Sequence, residues 1–165
     1  MTVRRTAGNI VKTVLFLFVF WAVFLFVIPL SLSVVEVQLG IQRFPPMPIV
    51  AGALMLASTA LAVWSAMTLA IEGNGTPSAF DPPRTLVTTA PYAYLRHPFA
   101  AAATAQIVAL GIAFGSIPVL AYATAAMALW YFLVRPREER ALMLRFGAAA
   151  REYTRSVRGF RPHLK

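Results

Sequence analysis

Apolar and charged positions are sharply segregated along this chain. The longest uncharged run extends from Phe99 to Val134, between Arg96-His97-Pro98 and Arg135-Pro136-Arg137-Glu138-Glu139. This run exceeds the ~20 residues that one helix needs to cross a bilayer, so it predicts two spans folded back on each other. Gly115-Ser116-Ile117-Pro118 lies near its middle and suits the turn. The hairpin should therefore return the two glutamates to the membrane face that holds the histidine.

Two more apolar stretches precede this hairpin and complete the predicted architecture. We expect an all-α integral membrane protein, a four-span helical bundle with a long cytoplasmic loop and a C-terminal amphipathic helix, forming one domain over residues 1–165. The predicted spans cover residues 9–30, 47–71, 98–115 and 118–134. The loop covers residues 72–97, and the C-terminal helical region covers residues 136–165.

The first and last of these segments each have a distinctive sequence pattern. A cleaved signal peptide competes with the first span, but the apolar stretch from Val14 to Ile28 exceeds the 7–15 residues of a usual signal core. After Val134, apolar residues recur at spacings of three and four among arginines, which indicates an amphipathic helix. Pro136 suits the first turn of that helix, and we expect Glu138 and Glu139 at its positive end.

Composition and charge agree with a membrane protein. The chain is 59% hydrophobic with a mean hydropathy of +0.69. Its net charge of +9 does not point to nucleic acid, because nine of the fifteen Lys and Arg residues lie in the C-terminal region and three more precede the first span. By the positive-inside rule, this distribution predicts that both termini are cytoplasmic. The chain has no cysteine and only two histidines, and their spacing predicts no metal site.

The segment that enters the hairpin holds the first candidate chemistry. Tyr92, Tyr94, Arg96, His97 and Pro98 end a loop and open a helix, where free backbone N–H groups would favour an anion. The alternative is structural: the arginine pairs with lipid phosphate, the histidine caps the helix, and the tyrosines anchor the helix at the membrane interface.

Two other groups of residues are weaker candidates. Glu138 and Glu139 can accept hydrogen bonds from a vicinal diol such as a ribose, or they can pair with arginines on their own helix. Gly73 and Gly75 would let backbone approach a ligand closely, or they can simply form a turn.

The ordered set of these elements resembles the integral membrane methyltransferases that include isoprenylcysteine carboxyl methyltransferase and the phospholipid methyltransferases. The resemblance covers roughly residues 73–162. It comprises Pro91-Tyr92 and Tyr94 leading into Arg96-His97-Pro98, the charge-free hairpin, Glu138-Glu139 with Leu142, Phe146-Gly147, Tyr153, Val157 and a terminal Phe160-Arg161-Pro162.

The resemblance implies S-adenosylmethionine as methyl donor and a lipid or other lipophilic molecule as acceptor, with membrane lipids around the bundle. The implied cofactor-binding residues are Gly73, Gly75, Tyr92, Tyr94, Arg96, His97, Pro98, Glu138 and Glu139. No catalytic residue is assigned, and Arg96 and His97 are candidates for positioning. Two alternatives stay open. Membrane sterol and steroid reductases, which use NADPH, also resemble the C-terminal pattern, and a small membrane scaffold or lipid-binding protein would need no cofactor.

Overall fold

A computed structural model describes residues 3–78 and 81–157, and every regular element in those ranges is helical. The α-helices are α1 (Val3–Phe20), α2 (Ile28–Gln38), α3 (Pro48–Ile71), α4 (Pro98–Phe114), α5 (Ile117–Leu129) and α6 (Arg135–Ser156). The predicted all-α class is confirmed. The terminal Phe160-Arg161-Pro162 and the rest of residues 158–165 lie outside the described residues.

Two π-helical segments make long continuous helices out of shorter ones. Trp21–Val27 joins α1 to α2, and Trp130–Val134 joins α5 to α6. Each segment ends two residues before a proline, Pro29 or Pro136. A proline lacks an N–H and its ring clashes with the carbonyl four residues earlier, and the wider π turn accommodates both defects.

The second junction corrects one prediction. The helix continues from α5 through the π turn into α6, and Val134 before α6 has helical φ and ψ of −85° and −51°. The expectation that Glu138 and Glu139 lie at the positive end of a separate helix is therefore wrong, because α6 continues directly from the π turn and its first turn is not a free helix N-terminus. Whatever holds these carboxylates must come from other side chains. Further along α6, Gly147 has non-helical φ and ψ of 52° and −117°, so α6 is kinked there.

Three of the continuous helices are long and apolar enough to cross a bilayer: Arg5–Gln38, Pro48–Ile71 and Ile117–Ser156. The protein is thus a membrane protein by helix length and composition. α4 is apolar but has 17 residues, about 25 Å at 1.5 Å per residue. That all four helices span, with both termini in the cytoplasm, stays a prediction.

The bundle has small residues inside and large apolar residues outside. α4 packs against α3, α5 and the N-terminal helix, and alanines such as Ala66, Ala102 and Ala123 are buried at these contacts. Outward-facing side chains such as Phe18 and Ile49 are 70% and 87% exposed. Small residues let membrane helices approach closely, and an apolar exterior of this extent is suited to lipid.

Specific contacts define the two ends of the bundle. At one end, Gly115 ends α4 with a φ of 62°, and a Cβ there would lie 2.0 Å from the Phe44 carbonyl oxygen. The Ser116 side chain caps α5 by accepting from the Val119 N–H. At the other end, Lys12 of α1 contacts Asp81 of the 72–97 loop at 2.8 Å. The loop, the start of α4 and the start of α6 therefore share one end.

Candidate functional site

The loop before α4 is tied to the helices around it. The Tyr92 hydroxyl donates to the Ser65 carbonyl oxygen of α3 at 3.3 Å. The Tyr153 hydroxyl of α6 donates to the Tyr92 carbonyl oxygen at 2.9 Å. Burial raises the pKa of Tyr153 to about 12, so this donor keeps its proton throughout the physiological range. These bonds fix the loop and bring the residues just before α4 against α6.

Arg96 is the main link between the loop and α6. Its Nη1 donates to Glu139 Oε1 at 2.8 Å. Its Nη2 donates to the carbonyl oxygens of Thr154 and Val157, both at 2.6 Å, and its Nε also donates to Val157 at 3.2 Å. The last carbonyls of a helix have no partner within the helix. Arg96 therefore stabilises the end of α6 and holds Glu139 at the same time.

Glu139 receives three donors on one carboxylate oxygen. Besides Arg96, Oε1 accepts from Arg135 Nε at 3.0 Å and lies 3.3 Å from His97 Nε2. Burial favours the protonated form, but hydrogen bonds from Arg135, Arg96 and His97 outweigh it and hold the pKa of Glu139 below its usual value. Glu139 is therefore an anion at neutral pH, and it organises the three side chains around it.

His97 occupies the N-cap position of α4 but does not cap it, because its side chain makes no cap hydrogen bond. The imidazole is 8% exposed and its ring packs edge-on against Trp130 at 4.9 Å. Burial lowers the pKa of His97, so the ring is neutral at pH 7. A neutral imidazole has one N–H, which can point to Glu139 from Nε2 or to Glu138 from Nδ1.

Glu138 is the less constrained member of the acidic pair. Its Oε2 lies 3.5 Å from His97 Nδ1, and its side chain is 45% exposed. Partial burial, and then the charge of Glu139, raise the pKa of Glu138. This carboxylate therefore faces an open side of the cluster.

The structure brings together the Arg96-His97-Pro98 segment and both glutamates. At Gly73 and Gly75, close packing within the chain leaves no room for a side chain. A Cβ on Gly73 would lie 2.6 Å from the Leu69 carbonyl oxygen, and one on Gly75 would lie 2.7 Å from the Pro82 backbone. Tyr92 is 8% exposed with its hydroxyl engaged, whereas Tyr94 is 46% exposed.

Two further residues contribute to the cluster: Trp130, which the sequence analysis missed, and Arg135, which it included only among the arginines that could pair with the glutamates on their own helix. The Trp130 ring packs against the imidazole of His97. Arg135 donates a hydrogen bond to Glu139, and its guanidinium lies 4.7 Å from the centre of the Tyr131 ring. The position of Arg135, four residues before Glu139 on a helix, was the available signal.

An apolar groove lies on the lipid-facing side of α4 and α5. It has a volume of about 390 Å³, and its walls include Thr104, Val108, Met127 and Tyr131. Because the Tyr131 ring also lies under the guanidinium of Arg135, one end of the groove adjoins the charged cluster.

Comparison with known families identifies the family of this chain. The model of the phospholipid methyltransferase family matches residues 47–149. The matched region contains α3, the loop, α4, α5 and the part of α6 that holds both glutamates. No curated protein matches the chain.

Proposed function

Since the matched region is more than half of the chain, the protein belongs to the phospholipid methyltransferase family, and on that premise we propose that it moves a methyl group from S-adenosylmethionine to a lipophilic acceptor presented from the bilayer. The observation that carries this proposal is the meeting of Arg96 and His97 with Glu139, which leaves Glu138 half exposed beside them. A cluster that only held the loop against α6 would need Glu139 but not Glu138.

Glu138 supports a ligand site for a physical reason. Its pKa is raised by partial burial and by a like charge, an arrangement that costs free energy in the absence of a partner. Perturbed carboxylates of this kind are concentrated at functional sites. Because ribose hydroxyls donate hydrogen bonds to a carboxylate, Glu138 is our candidate for holding the ribose of the cofactor.

The start of α4 supplies a complementary site for the carboxylate of the cofactor. Pro98 has no N–H and the Ala101 N–H bonds the His97 carbonyl oxygen, so the N–H groups of Phe99 and Ala100 belong to the unpaired first turn. A helix N-terminus favours an anion. Tyr94 is exposed enough to pack against the adenine or the sulfonium. Arg96 acts as a positioning residue, since each of its nitrogens already donates to α6 or to Val157 just after it.

S-adenosylmethionine supplies a methyl group on a sulfonium, which is transferred without a covalent enzyme intermediate. The protein therefore mainly has to align the acceptor and exclude water. The groove between α4 and α5 supports an acyl chain as the apolar part of the acceptor. Its occupant would lie alongside Tyr131, with its polar end toward Arg135 and the cluster.

The test uses the full chain in its native lipids with methyl-labelled S-adenosylmethionine. We expect label in a lipid fraction, and Glu138→Gln should lower cofactor affinity at least about tenfold by calorimetry. Glu152→Gln changes an exposed glutamate of the same helix and should bind like the wild type. Absence of both label and binding in the wild type would sink the proposal. Reduction of a sterol at the expense of NADPH, with no transfer of the methyl label, would favour the reductase alternative.

A further inference from the structure

A second polar pocket lies between the loop and α6, apart from the Arg96–Glu139 cluster. It has a volume of about 410 Å³ and is lined by Asp81, Pro82, Arg84, Arg145 and Phe146. Its size is within the range of small-molecule sites, which is ~300–1,000 Å³. The methyl-transfer site proposed above does not use any of these residues.

The charges around this pocket favour an anion. The one acidic group in its lining, Asp81, is paired with Lys12 at 2.8 Å, and Arg84 Nη2 lies 3.9 Å from it. Arg145 uses Nη1 to donate to the Pro83 carbonyl oxygen at 3.1 Å, which orients its guanidinium toward the loop. Nε and Nη2 of Arg145 make no hydrogen bond to the part of the chain that the structure describes. The guanidinium groups of Arg84 and Arg145 therefore line the pocket with N–H groups that can donate to a ligand.

The level of the pocket along the bundle indicates where its ligand comes from. Lys12 immediately precedes the apolar stretch of the first long helix, and its ammonium touches Asp81 in the pocket wall. The pocket thus lies where the apolar exterior gives way to charge, which is the level of lipid head groups. Arg145 is seven residues after Glu138 on α6, so it lies two turns away, about 10 Å, on the same helix face.

We propose that this pocket binds the phosphate of a membrane phospholipid. Guanidinium groups bind phosphate oxygens in a bidentate manner, and two of them can share one phosphate. Lys12 removes the repulsion that Asp81 would otherwise exert. The apolar side chain of Phe146 forms a wall beside the phosphate. The site does not depend on the methyl-transfer proposal, because it needs neither cofactor nor acceptor chemistry.

The experiment counts lipids bound to the full chain, released from detergent, by native mass spectrometry. The probe is phosphatidylglycerol, and diacylglycerol with the same acyl chains is the phosphate-free comparison. We expect the chain to bind at least one more phosphatidylglycerol than diacylglycerol, because diacylglycerol can occupy only the acyl-chain groove between α4 and α5. The double variant Arg84→Gln/Arg145→Gln should lower the lipid affinity at least about tenfold, because it removes charge-assisted hydrogen bonds.

The matched control is Arg151→Gln/Arg155→Gln, which removes two exposed arginines of α6 outside the pocket. It should bind phosphatidylglycerol like the wild type. Equal losses in both double variants would overturn the proposal in favour of diffuse attraction, and so would no loss in the pocket variant. Displacement of the lipid by an equal concentration of inorganic phosphate would overturn its assignment to a lipid. Arg84→Lys/Arg145→Lys, which keeps the charge, should retain part of the affinity and shows that loss in the Gln variant is not misfolding.

Discussion

Arg96 and Glu139 are 43 positions apart in the chain, yet Arg96 Nη1 lies 2.8 Å from Glu139 Oε1. The Arg96 side chain is 10% exposed and that of Glu139 is 25% exposed, so the pair is largely shielded from water. The same guanidinium bonds the last carbonyls of α6. One side chain therefore joins the loop, the cluster and the end of the chain that the structure describes.

Arg96→Ala should destabilise the protein by about 2–4 kcal/mol. Removing one member of a buried pair leaves the other charge uncompensated, which costs ~3–5 kcal/mol when burial is complete, and Glu139 keeps Arg135 as a partner. Denaturant unfolding in detergent measures the change. Arg140→Ala removes an exposed arginine of α6 and should alter stability by less than about 0.5 kcal/mol. Equal stability of the two variants would mean that Arg96 does not clamp α6.

His97 should make stability depend on pH. Burial lowers the pKa of folded His97 below 6.5, so the unfolded chain takes up the proton first. The contribution of the neutral ring is complete above pH 6.5 and is lost as pH falls through 6.5 toward the folded pKa. Two carboxylates, Glu138 and Glu139, and two guanidinium groups, Arg96 and Arg135, face or surround the ring.

The measurement is Tm from pH 8 to pH 5.5 for the wild type and for His97→Asn, which keeps a polar side chain but does not titrate. We expect Tm of the wild type to fall toward pH 5.5 and that of the variant to be flatter. Glu138 has a raised pKa and acts in the opposite direction at lower pH, so the comparison is made between variants rather than on the wild type alone. Parallel profiles would show that His97 does not titrate in this range.

Filling the groove should impair use of the acceptor without affecting the cofactor. Ala128 lines the groove between α4 and α5, and Ala128→Leu adds three carbons to it. We expect KM for the lipid acceptor to rise while affinity for S-adenosylmethionine is unchanged, because the charged cluster is not altered. Ala125→Leu places the same side chain on an exposed position outside the groove lining and is the control. A KM that does not change in Ala128→Leu would place the acceptor elsewhere.

Gly75→Ala should destabilise the loop by about 1–3 kcal/mol, the usual cost of overpacking. The added Cβ would lie 2.7 Å from backbone atoms of Pro82 and Pro83, which cannot move aside without shifting the loop. Limited proteolysis of the 72–97 loop and Tm both report this. Gly52→Ala is the comparison, since a Cβ there meets nothing within 4 Å in a helix, and it should stabilise by up to about 1 kcal/mol. If the Gly75 variant resists protease like the wild type, the close packing is not required.

The helical class and the proximity of Arg96, His97 and Glu139 were predictable because both follow from the distribution of charged residues along the chain. A long uncharged run with polar ends folds back on itself, and folding back brings its ends together. The family resemblance, now supported by the match over residues 47–149, came from the order of the same polar groups. Which of the two glutamates is buried among donors was not predictable, since it depends on the rotation of α6.

Two features could not be predicted from the sequence because they depend on the path of the backbone. Pro136 reads as a helix start, but the π turn at Trp130–Val134 lets the helix continue through it. Gly73 and Gly75 also lie close to other parts of the chain, the Leu69 carbonyl oxygen of α3 and the Pro82–Pro83 backbone respectively, which their spacing in the sequence does not reveal. Their role toward a cofactor stays a prediction. In each case a non-local contact or an irregular turn decides, and neither leaves a periodic signal.

The helix that begins at Ile117 has two arms: the apolar α5 and, beyond the π turn, the part of α6 before the kink at Gly147 that carries Glu138 and Glu139. A helix that tilts to match a thinner bilayer swings its distal arm, and the π turn between the arms is the natural point of bending. The acidic pair would then shift against the loop that bears His97. Turnover in vesicles of graded acyl length should therefore pass through an optimum, and the membrane itself sets how well the two halves of the cluster meet.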